Sequence, residues 1–491
     1  MTESAHHGMK DFDGLNPYCR MSLYGDEHLG GLREDRFGRL FPELNPAYTR
    51  PDILETIGAR GGPMDAGGGN DLTDDVELGQ IFFGQFVDHD ITLDASTTFD
   101  SVVESPGGVE NLRTPTLDLD CVYGLGPEAQ PYLFNQDRDP GDPSLPGPFA
   151  GVKLLTGADN SGQPGLAEHD LLRSPNGRAI IGDPRNDENR IISQMQLAII
   201  RFHNHVADTL NSDEGLAGHD LYEEARKQTT WHYQWAIVND FLPAICGRPV
   251  VERILGCGRE HYCGNVPFIP IEFSVAAYRF GHSMIPQRLQ IREGGEFLDL
   301  FGSLGLGFDA VTQPEHLVDW HELFRTSEGR GVTTAQQLDT KVARTLLELP
   351  FVNGTAAEKS LAVRNLLRGN TFLLPGGEKV AEAIGREQSE IDDVAAKIAD
   401  LSGEIGADGI PLWLYLLAEA EVVGRAETVG TFKPREGLGP VGATIVAEVL
   451  IGLLELDDRS YLGANRNWGP NKDWDTLGKL LTVAQPALPA I

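Results

Sequence analysis

Two short segments decide the fold of this 491-residue chain: Gly84-Gln85-Phe86-Val87-Asp88-His89-Asp90 and Tyr278-Arg279-Phe280-Gly281-His282. Each places one histidine in an otherwise apolar stretch that is typical of a buried helix. The first histidine lies between two aspartates, whereas the second has no acid beside it. Two histidines in such different settings suit proton transfer at one site and metal ligation at the other. This is the arrangement expected at the two faces of a haem.

Apolar residues at helical spacing elsewhere predict a mainly α fold. After Asp183-Pro184, a helical pattern begins that includes 191–206, and further helical patterns cover about 219–241, 272–285, 336–348, 358–368, 388–402, 411–423 and 441–456. Thr73 is the expected N-cap of the helix that carries His89. Gly- and Pro-rich residues 94–180 predict long loops with short strands at best. We expect a single large helical domain over 71–491 with very little β-structure, preceded by an irregular N-terminal arm over 1–70 that packs on it.

The composition excludes several functional classes. A formal net charge of -33 argues against nucleic acid or an anionic membrane as a partner. No apolar run is long enough to predict a membrane span. The N-terminus lacks the basic and then apolar pattern of a secretory signal, so we expect a cytoplasmic protein, with unconventional secretion left open. Five cysteines, an odd number, predict no disulfide framework.

The first histidine has polar neighbours on its own helix face. Gln85, Asp88 and His89 are spaced i, i+3 and i+4 and therefore share a face, whereas Asp90 points about 100° away. A histidine beside an amide can accept a proton from a bound peroxide while the amide holds water or a small anion. For an isolated Asp-His-Asp, acids that simply face solvent are the stronger alternative.

A second segment, Thr114-Pro115-Thr116-Leu117-Asp118-Leu119-Asp120, alternates oxygen-bearing and apolar side chains. Along an extended loop such oxygens can all turn toward one cation, and calcium prefers six to eight oxygen ligands. Asp90 is a further candidate ligand from the helix. A half-buried strand with one polar face is an equally good interpretation of this segment alone.

Arg185-Asn186-Asp187-Glu188 precedes an apolar periodic segment. A fixed guanidinium at this position could stabilise charge on a departing oxygen, although a surface pair at a helix start is the simpler alternative. Further along, His203 and His205 diverge on a helix at i, i+2 spacing and do not form a metal pair.

The stretch from Glu272 to Pro286 is apolar nearly all round and predicts a buried helix near whose end His282 lies. Asn365 could accept the ring N–H of an iron-bound imidazole. Arg279 and Arg368 could hold haem propionates as charge-assisted pairs. A hydrogen-bonded core histidine is the alternative.

In this order and at this rough spacing, the motifs resemble the haem peroxidases of the animal type, in the peroxidase–cyclooxygenase superfamily, and most closely a bacterial member. The matching pieces extend from about residue 72 to 461 and include Leu438-Gly439-Pro440 and Asp458-Arg459-Ser460-Tyr461. The resemblance implies haem b and Ca²⁺ as cofactors and hydrogen peroxide as oxidant. It also implies oxidation of bromide, iodide, thiocyanate or aromatic donors through compound I.

The resemblance further implies roles for the residues on one side of the haem. His89 would shuttle the peroxide proton, with Gln85 holding water or halide beside it. Arg185 would polarise the peroxide. Asp88 and Glu188 stand where the family esterifies haem methyl groups, so two covalent links are expected to be possible.

On the other side, the resemblance makes His282 the iron ligand and Asn365 its hydrogen-bond partner. Arg279 and Arg368 would pair with the propionates. The implied calcium ligands all carry oxygen: Asp90, Thr114, Thr116 (through its carbonyl), Asp118 and Asp120.

Departures from the family pattern separate the possible functions. Asn189 stands where myeloperoxidase has a haem-bonded methionine, so easy chloride oxidation is not expected. The fatty-acid dioxygenase branch has a radical-forming tyrosine three residues before the iron ligand, and that position is Arg279. A peroxidase is therefore favoured over a fatty-acid dioxygenase, and a haem-free, calcium-stabilised binding protein is the least expected function.

Overall fold

The helix that carries His89 lies in the middle of the core of the computed structural model, which describes residues 35–68, 71–94, 106–326, 331–406 and 409–491. This helix, Leu78–Ile91, is buried at almost every position. Its residues Phe82, Phe83 and Phe86 are fully buried. A helix that is apolar all round can only be stable when other elements surround it.

Helices make up most of the regular structure, as the sequence predicts. We number them in chain order: α1 Pro51–Gly58, α2 Leu78–Ile91, α3 Asp120–Tyr123, α4 Gly126–Ala129, α5 Arg190–Glu214, α6 Gly218–Ala236, α7 Leu242–Cys246, α8 Arg248–Cys257, α9 Trp320–Leu323, α10 Arg344–Leu347, α11 Ala356–Lys359, α12 Leu361–Thr371, α13 Gly377–Ile384, α14 Gln388–Leu401, α15 Leu412–Val422, α16 Pro440–Leu456, α17 Tyr461–Ala464 and α18 Leu477–Thr482.

The strands of the described residues are short and form two-stranded pairs. β1 (Phe37–Gly38) pairs in parallel with β3 (Ile269–Pro270). Two antiparallel pairs join β2 (Leu72–Glu77) to β4 (Thr334–Gln336) and β5 (Arg425–Thr428) to β6 (Thr431–Lys433). The prediction of a mainly α fold with very little β-structure is confirmed.

The expected helix start at Thr73 is wrong. Thr73 lies in β2, where its hydroxyl donates to the carbonyl oxygens of Val76 and Ala335 at 3.1 Å each. The helix begins only at Leu78, after Glu77. The partner strand, β4, comes from about 260 residues further along the chain, so local sequence could not reveal the pairing.

Three other predicted helices need correction. Asp183 caps only a 3₁₀ turn, Pro184–Asp187, and α5 begins at Arg190 with Asn189 as its N-cap. The stretch before His282 is buried as expected but forms a π turn, Glu272–Ala276, and then a 3₁₀ segment, Ala277–His282. Most of 336–348 is irregular, and only Arg344–Leu347 is helical.

The N-terminal arm can be described only from residue 35, since 1–34 lie outside the described residues. It contains α1, which packs against α12, and the Ser360 hydroxyl donates to Gly58 O at 2.6 Å. A boundary at residue 70 stays a prediction. The described cysteines, Cys121, Cys246, Cys257 and Cys263, are all free thiols. Among the described helices, none is both long and apolar enough to cross a membrane.

Candidate active site

A cavity of about 440 Å³ lies between the segments that carry the two histidines. His89 and His282 both line it, so the structure brings together the two residues that the sequence singled out. Four further predicted site residues also line the cavity on the His89 side: Gln85, Asp88, Arg185 and Glu188. Much of the remaining wall is apolar, including Ile81, Phe82, Phe280, Ile285, Leu300 and Leu346. An apolar pocket with a few convergent polar groups is the usual form of a cofactor site.

The ring of His89 is held in one orientation by its neighbours. His89 Nδ1 lies 2.7 Å from Asn186 Oδ1, and Asn186 Nδ2 donates to Gln196 Oε1 at 2.8 Å. The second bond fixes the amide, so the oxygen of Asn186 accepts the Nδ1 proton and Nε2 keeps its lone pair. Burial, and then the charge of Arg185, lower the pKa of His89, which favours the neutral ring. Asn186 was not assigned a role from sequence, because nothing local marks it as the partner of a residue almost 100 positions earlier.

Arg185 is anchored on both sides. Its Nη2 donates to the backbone oxygen of His89 at 3.0 Å and to Asp183 Oδ2 at 2.8 Å. Asp183 is fully buried, and burial alone would raise the pKa of its carboxyl. The charges of Arg185 and Arg113 outweigh that effect and hold the pKa of Asp183 below its usual range. Arg185 therefore faces the cavity as a fixed cation.

Amide and carboxyl groups surround the open side of His89. Gln85 Nε2 donates to Glu188 Oε1, and Asn189 Nδ2 donates to Gln85 Oε1 at 3.3 Å. Glu188 Oε1 lies 3.9 Å from His89 Nε2. Asp88 lines the same cavity and accepts the Thr92 hydroxyl at 2.9 Å. These contacts place Gln85 and Glu188 beside the basic nitrogen of His89.

His282 contacts its predicted partner Asn365, but with the amide nitrogen and not the predicted amide oxygen at the ring: Asn365 Nδ2 lies 2.7 Å from His282 Nδ1. In this orientation the amide donates to the ring, which suits a proton on Nε2. A half-turn of the amide would place Oδ1 there to accept from Nδ1–H and leave Nε2 free for a metal. Burial, and then Arg279 and Arg364, lower the pKa of His282 to about 3, so the ring is neutral, as a metal ligand must be.

The arginines near His282 differ from the expectation in one position. Arg279 lines the cavity, and its Nε donates to Ser274 O at 2.9 Å. Arg368 is not among the lining residues and instead pairs with Asp94 at 2.6 Å. Arg364, one turn earlier on α12, lines the cavity. Four residues apart, the two arginines share a helix face, so sequence spacing could not tell which one reaches the cavity.

Three of the five predicted calcium ligands, the carboxylates of α2 and the following loop, come together. Asp90, Asp118 and Asp120 are buried, and one ligand oxygen from each lies within 4.8 Å of the others. Asp90 Oδ2 accepts from Leu119 N at 3.2 Å and from the Tyr233 hydroxyl at 3.1 Å. On the same loop, the Thr116 hydroxyl donates to the Thr114 hydroxyl at 3.0 Å. We call Asp90, Asp118 and Asp120 the carboxylate cluster.

The electrostatics of the carboxylate cluster suit a cation. Burial raises the pKa of Asp120 to about 8 and that of Asp90 to about 6. Asp90 Oδ1 accepts no hydrogen bond from a described residue. Buried carboxylates without enough donors are costly when ionised, and a hard cation that binds oxygen would remove that cost. The donor set therefore fits calcium.

The chain is similar to known peroxidases in sequence and in fold. The family described as animal haem peroxidase matches residues 100–402, more than half of the chain. The chain belongs to the animal haem peroxidase family. Human thyroid peroxidase is 27% identical over 373 residues, which are 71% of this chain and 38% of that protein. Drosophila melanogaster chorion peroxidase is 29% identical over 259 residues, 50% of this chain and 31% of that protein. The chain thus spans about a third of the length of these curated relatives.

Solved structures show the same fold at low identity. Peroxidase A of Dictyostelium discoideum superposes with a TM-score of 0.64 at 15% identity, and the aligned region covers 93% of this chain and 94% of the peroxidase A chain. A fatty acid alpha-dioxygenase of Oryza sativa superposes with a TM-score of 0.57 at 15% identity, and the aligned region covers 90% of this chain and 80% of the dioxygenase chain. At this identity the likeness establishes the helical haem peroxidase fold.

The cavity of this animal haem peroxidase fits the cofactor of its family. Neutral His282 offers a ring nitrogen on one wall, and His89 and Arg185 face the space from another. Arg279 and Arg364 also line the cavity and lie close enough to His282 to lower its pKa, so they supply positive charge for the carboxylates of a haem. The apolar walls suit the porphyrin faces.

Proposed function

We propose that this chain is a haem peroxidase that uses hydrogen peroxide to oxidise bromide, iodide, thiocyanate and aromatic donors. The proposal is carried by one observation: His89, neutral and fixed in one tautomer, lines the same cavity as Arg185 and His282. Haem bound in this cavity would supply the iron that takes two oxidising equivalents from peroxide. The protein residues would provide the ligand, the proton transfers and the fixed charge.

His89 acts as the proton carrier in this proposal. Its Nε2 accepts the proton of hydrogen peroxide and then gives it to the departing oxygen, as a general base and then a general acid. Asn186 accepts the Nδ1 proton throughout, which keeps Nε2 the basic atom. Burial favours the neutral ring, so the base is ready at neutral pH.

Arg185 stabilises negative charge on the departing oxygen. A preorganised cation is most effective where it cannot reorient, and Arg185 is held by Asp183 and by the backbone of His89. Gln85, close to Glu188 and Asn189, would hold water or a small anion beside His89.

His282 is the proposed iron ligand, with the Asn365 amide turned so that its oxygen accepts from Nδ1–H. Arg279 and Arg364 are the proposed propionate partners in contact with the cavity, and Arg368 would support them from its pair with Asp94. Asp88 and Glu188 are the proposed ester links to haem methyl groups, because both carboxyls line the cavity.

Aromatic rings in the wall of the cavity support aromatic donors as substrates. Phe301 and Phe351 line it and pack edge to face with ring centroids 5.2 Å apart. Phe351 is 48% exposed, so its ring also faces solvent. A flat phenol could stack there within reach of the interior. Calcium at the carboxylate cluster, together with Thr114 and Thr116, would fix Asp90 and thereby the adjacent His89.

The test is peroxide-dependent oxidation of bromide and of a phenol by haem-loaded protein. In His89→Gln, kcat/KM for peroxide should fall by roughly 10²–10⁴-fold, because general acid–base catalysis contributes that much. His205→Gln is the matched control, since His205 lies on α5 and does not line the cavity. If His89→Gln kept wild-type kcat/KM, the proposed role of His89 would be wrong.

A fatty-acid dioxygenase is the second candidate, favoured by one observation. Tyr278 lines the cavity as a buried phenol and stacks on Phe273 with centroids 4.6 Å apart. Oxygen uptake with a polyunsaturated fatty acid, lost in Tyr278→Phe, would support this candidate. Oxygen uptake that is absent while bromide is oxidised would exclude it.

A further inference from the structure

A buried chain of four charged side chains connects the carboxylate cluster to Arg185. Asp120 Oδ1 lies 3.1 Å from Arg113 Nη1, and Arg113 Nη2 donates to Asp183 Oδ2. The same Asp183 oxygen accepts from Arg185 Nη2 at 2.8 Å. We call Asp120, Arg113, Asp183 and Arg185 the ionic relay.

The inner members of the ionic relay are sealed from water. The side chain of Arg113 is 1% exposed, those of Asp120 and Asp183 are 0% and 1%, and that of Arg185 is 24%. Within the described residues, Asp183 is the carboxylate that pairs with Arg185. Arg113 reaches Asp120 with Nη1 and Asp183 with Nη2, and the rigid plane of its guanidinium fixes the two carboxylates relative to each other.

We propose that Arg113 and Asp183 are positioning residues that couple the carboxylate cluster to Arg185. This proposal rests on the proposed function only in assigning Arg185 a task at the peroxide. The physical reason is that charges alternate along the relay when a cation at the carboxylate cluster keeps Asp120 ionised, so a displacement of one member leaves its neighbours buried without a partner. A cation that fixes Asp120 would therefore help to fix the guanidinium of Arg185.

A second buried arrangement provides the matched control. Arg173 bridges Asp170 and Asp187 through four hydrogen bonds of 2.7–3.0 Å, and its side chain is 2% exposed. It has the same chemistry as Arg113, yet the carboxylates it bridges are not the one that pairs with Arg185. A general effect of replacing a buried bridging arginine should therefore appear equally in Arg113→Lys and Arg173→Lys.

The test is a double-mutant cycle with Arg113→Lys and Arg185→Lys in the haem-loaded protein. One readout is the second-order rate constant for reaction with peroxide. The other is the dissociation constant of fluoride from the ferric protein, followed by its absorption, because a small anion in the cavity senses the charge of Arg185 without turnover. A third readout, Tb³⁺ affinity of the protein without haem, reports on the carboxylate cluster.

Arg113→Lys should weaken fluoride binding and slow the peroxide reaction by about 10-fold, as for other residues that orient an active-site group. In the Arg185→Lys background the same change should cost less than about twofold, because its effect acts through Arg185. Arg185→Lys should change Tb³⁺ affinity by about threefold. Arg173→Lys should change none of these by more than about twofold.

An equal effect of Arg113→Lys in both backgrounds, an equal effect of Arg173→Lys, or unchanged Tb³⁺ affinity in Arg185→Lys would overturn the coupling. A wild-type protein that binds haem and fluoride but does not react with peroxide would refute the proposed function. The double-mutant cycle in fluoride affinity would still test the coupling through the ionic relay. A protein that takes up no haem would leave that test to the Tb³⁺ titration.

Discussion

One substitution in the carboxylate cluster, Asp90→Asn, should change the free energy of unfolding in opposite directions with and without calcium. Asp90→Asn keeps the shape of the side chain, and its amide oxygen can still accept from Leu119 N and the Tyr233 hydroxyl. The amide NH₂ then occupies the place of Asp90 Oδ1, which accepts no hydrogen bond from a described residue. It can donate to the carboxylates of Asp118 and Asp120 instead of repelling them.

The size of the effect follows from the pKa of Asp90. Burial raises this pKa from 3.8 to about 6, and a shift of about two units corresponds to about 3 kcal/mol above the raised pKa. Asp90→Asn should therefore raise the free energy of unfolding of the chelated protein by up to about 3 kcal/mol.

With calcium bound, the wild type should be more stable than Asp90→Asn. The substitution removes one ligand charge, while saturating calcium stabilises the wild type by about 4 kcal/mol at a thousand times its dissociation constant. Urea unfolding at about pH 7.5, with chelator and with calcium, measures both differences. Glu419→Gln is the control, because Glu419 is also buried with a raised pKa but lies outside the cluster.

The pH dependence of the chelated wild type follows from the same groups. The folded pKa values of Asp90 and Asp120 are raised, so their contribution to stability is present below the unfolded value of 3.8 and is lost as pH rises through about 6 and about 8. An Asp90→Asn protein that is less stable than the wild type by the same amount in both media would contradict this prediction. A wild type with the same free energy of unfolding with and without calcium would contradict it as well.

Three further predictions concern separate parts of the molecule. The rate constant for reaction with peroxide should fall with decreasing pH around a midpoint below 6.5, since burial and Arg185 lower the pKa of His89, and a midpoint above 6.5 would contradict this. Burial lowers the pKa of His203 from 6.5 to about 4. Its contribution to stability, about 3 kcal/mol, is therefore present above pH 6.5 and lost as pH falls through about 4. In urea unfolding, the stability of His203→Gln should depend less on pH than that of the wild type. Phe351→Ala should raise KM for a phenol several-fold and leave that for bromide unchanged, because only the phenol would stack on the ring; equal changes in steady-state assays would exclude a stacking role.

The sequence was sufficient where function depends on local spacing. The two histidines, Gln85 and Asp88 follow from residues on single segments, and they do line the same cavity. The oxygen-bearing loop also predicted two carboxylates, Asp118 and Asp120, that meet Asp90 in the structure. Such patterns survive because each is carried by a few consecutive residues.

The sequence was insufficient where partners come from distant segments. Asn186 meets His89 across 97 positions, and Arg113 meets Asp183 across 70. Arg364 rather than Arg368 reaches the cavity, although the two share one face of α12. β2 pairs with β4, so Thr73 faces a distant strand instead of capping a helix. Only tertiary packing decides these contacts.

A stopped-flow absorption spectrum of the haem-loaded protein, mixed with hydrogen peroxide and then with bromide, decides whether the chain acts as a peroxidase. The Soret band should shift rapidly with peroxide, because His89 and Arg185 act together, and should return to its starting position when bromide is added. A Soret band that peroxide does not move would contradict the proposed roles of His89 and Arg185. The absence of a Soret band after haem is supplied would contradict the assignment of His282 and favour a haem-free binding protein.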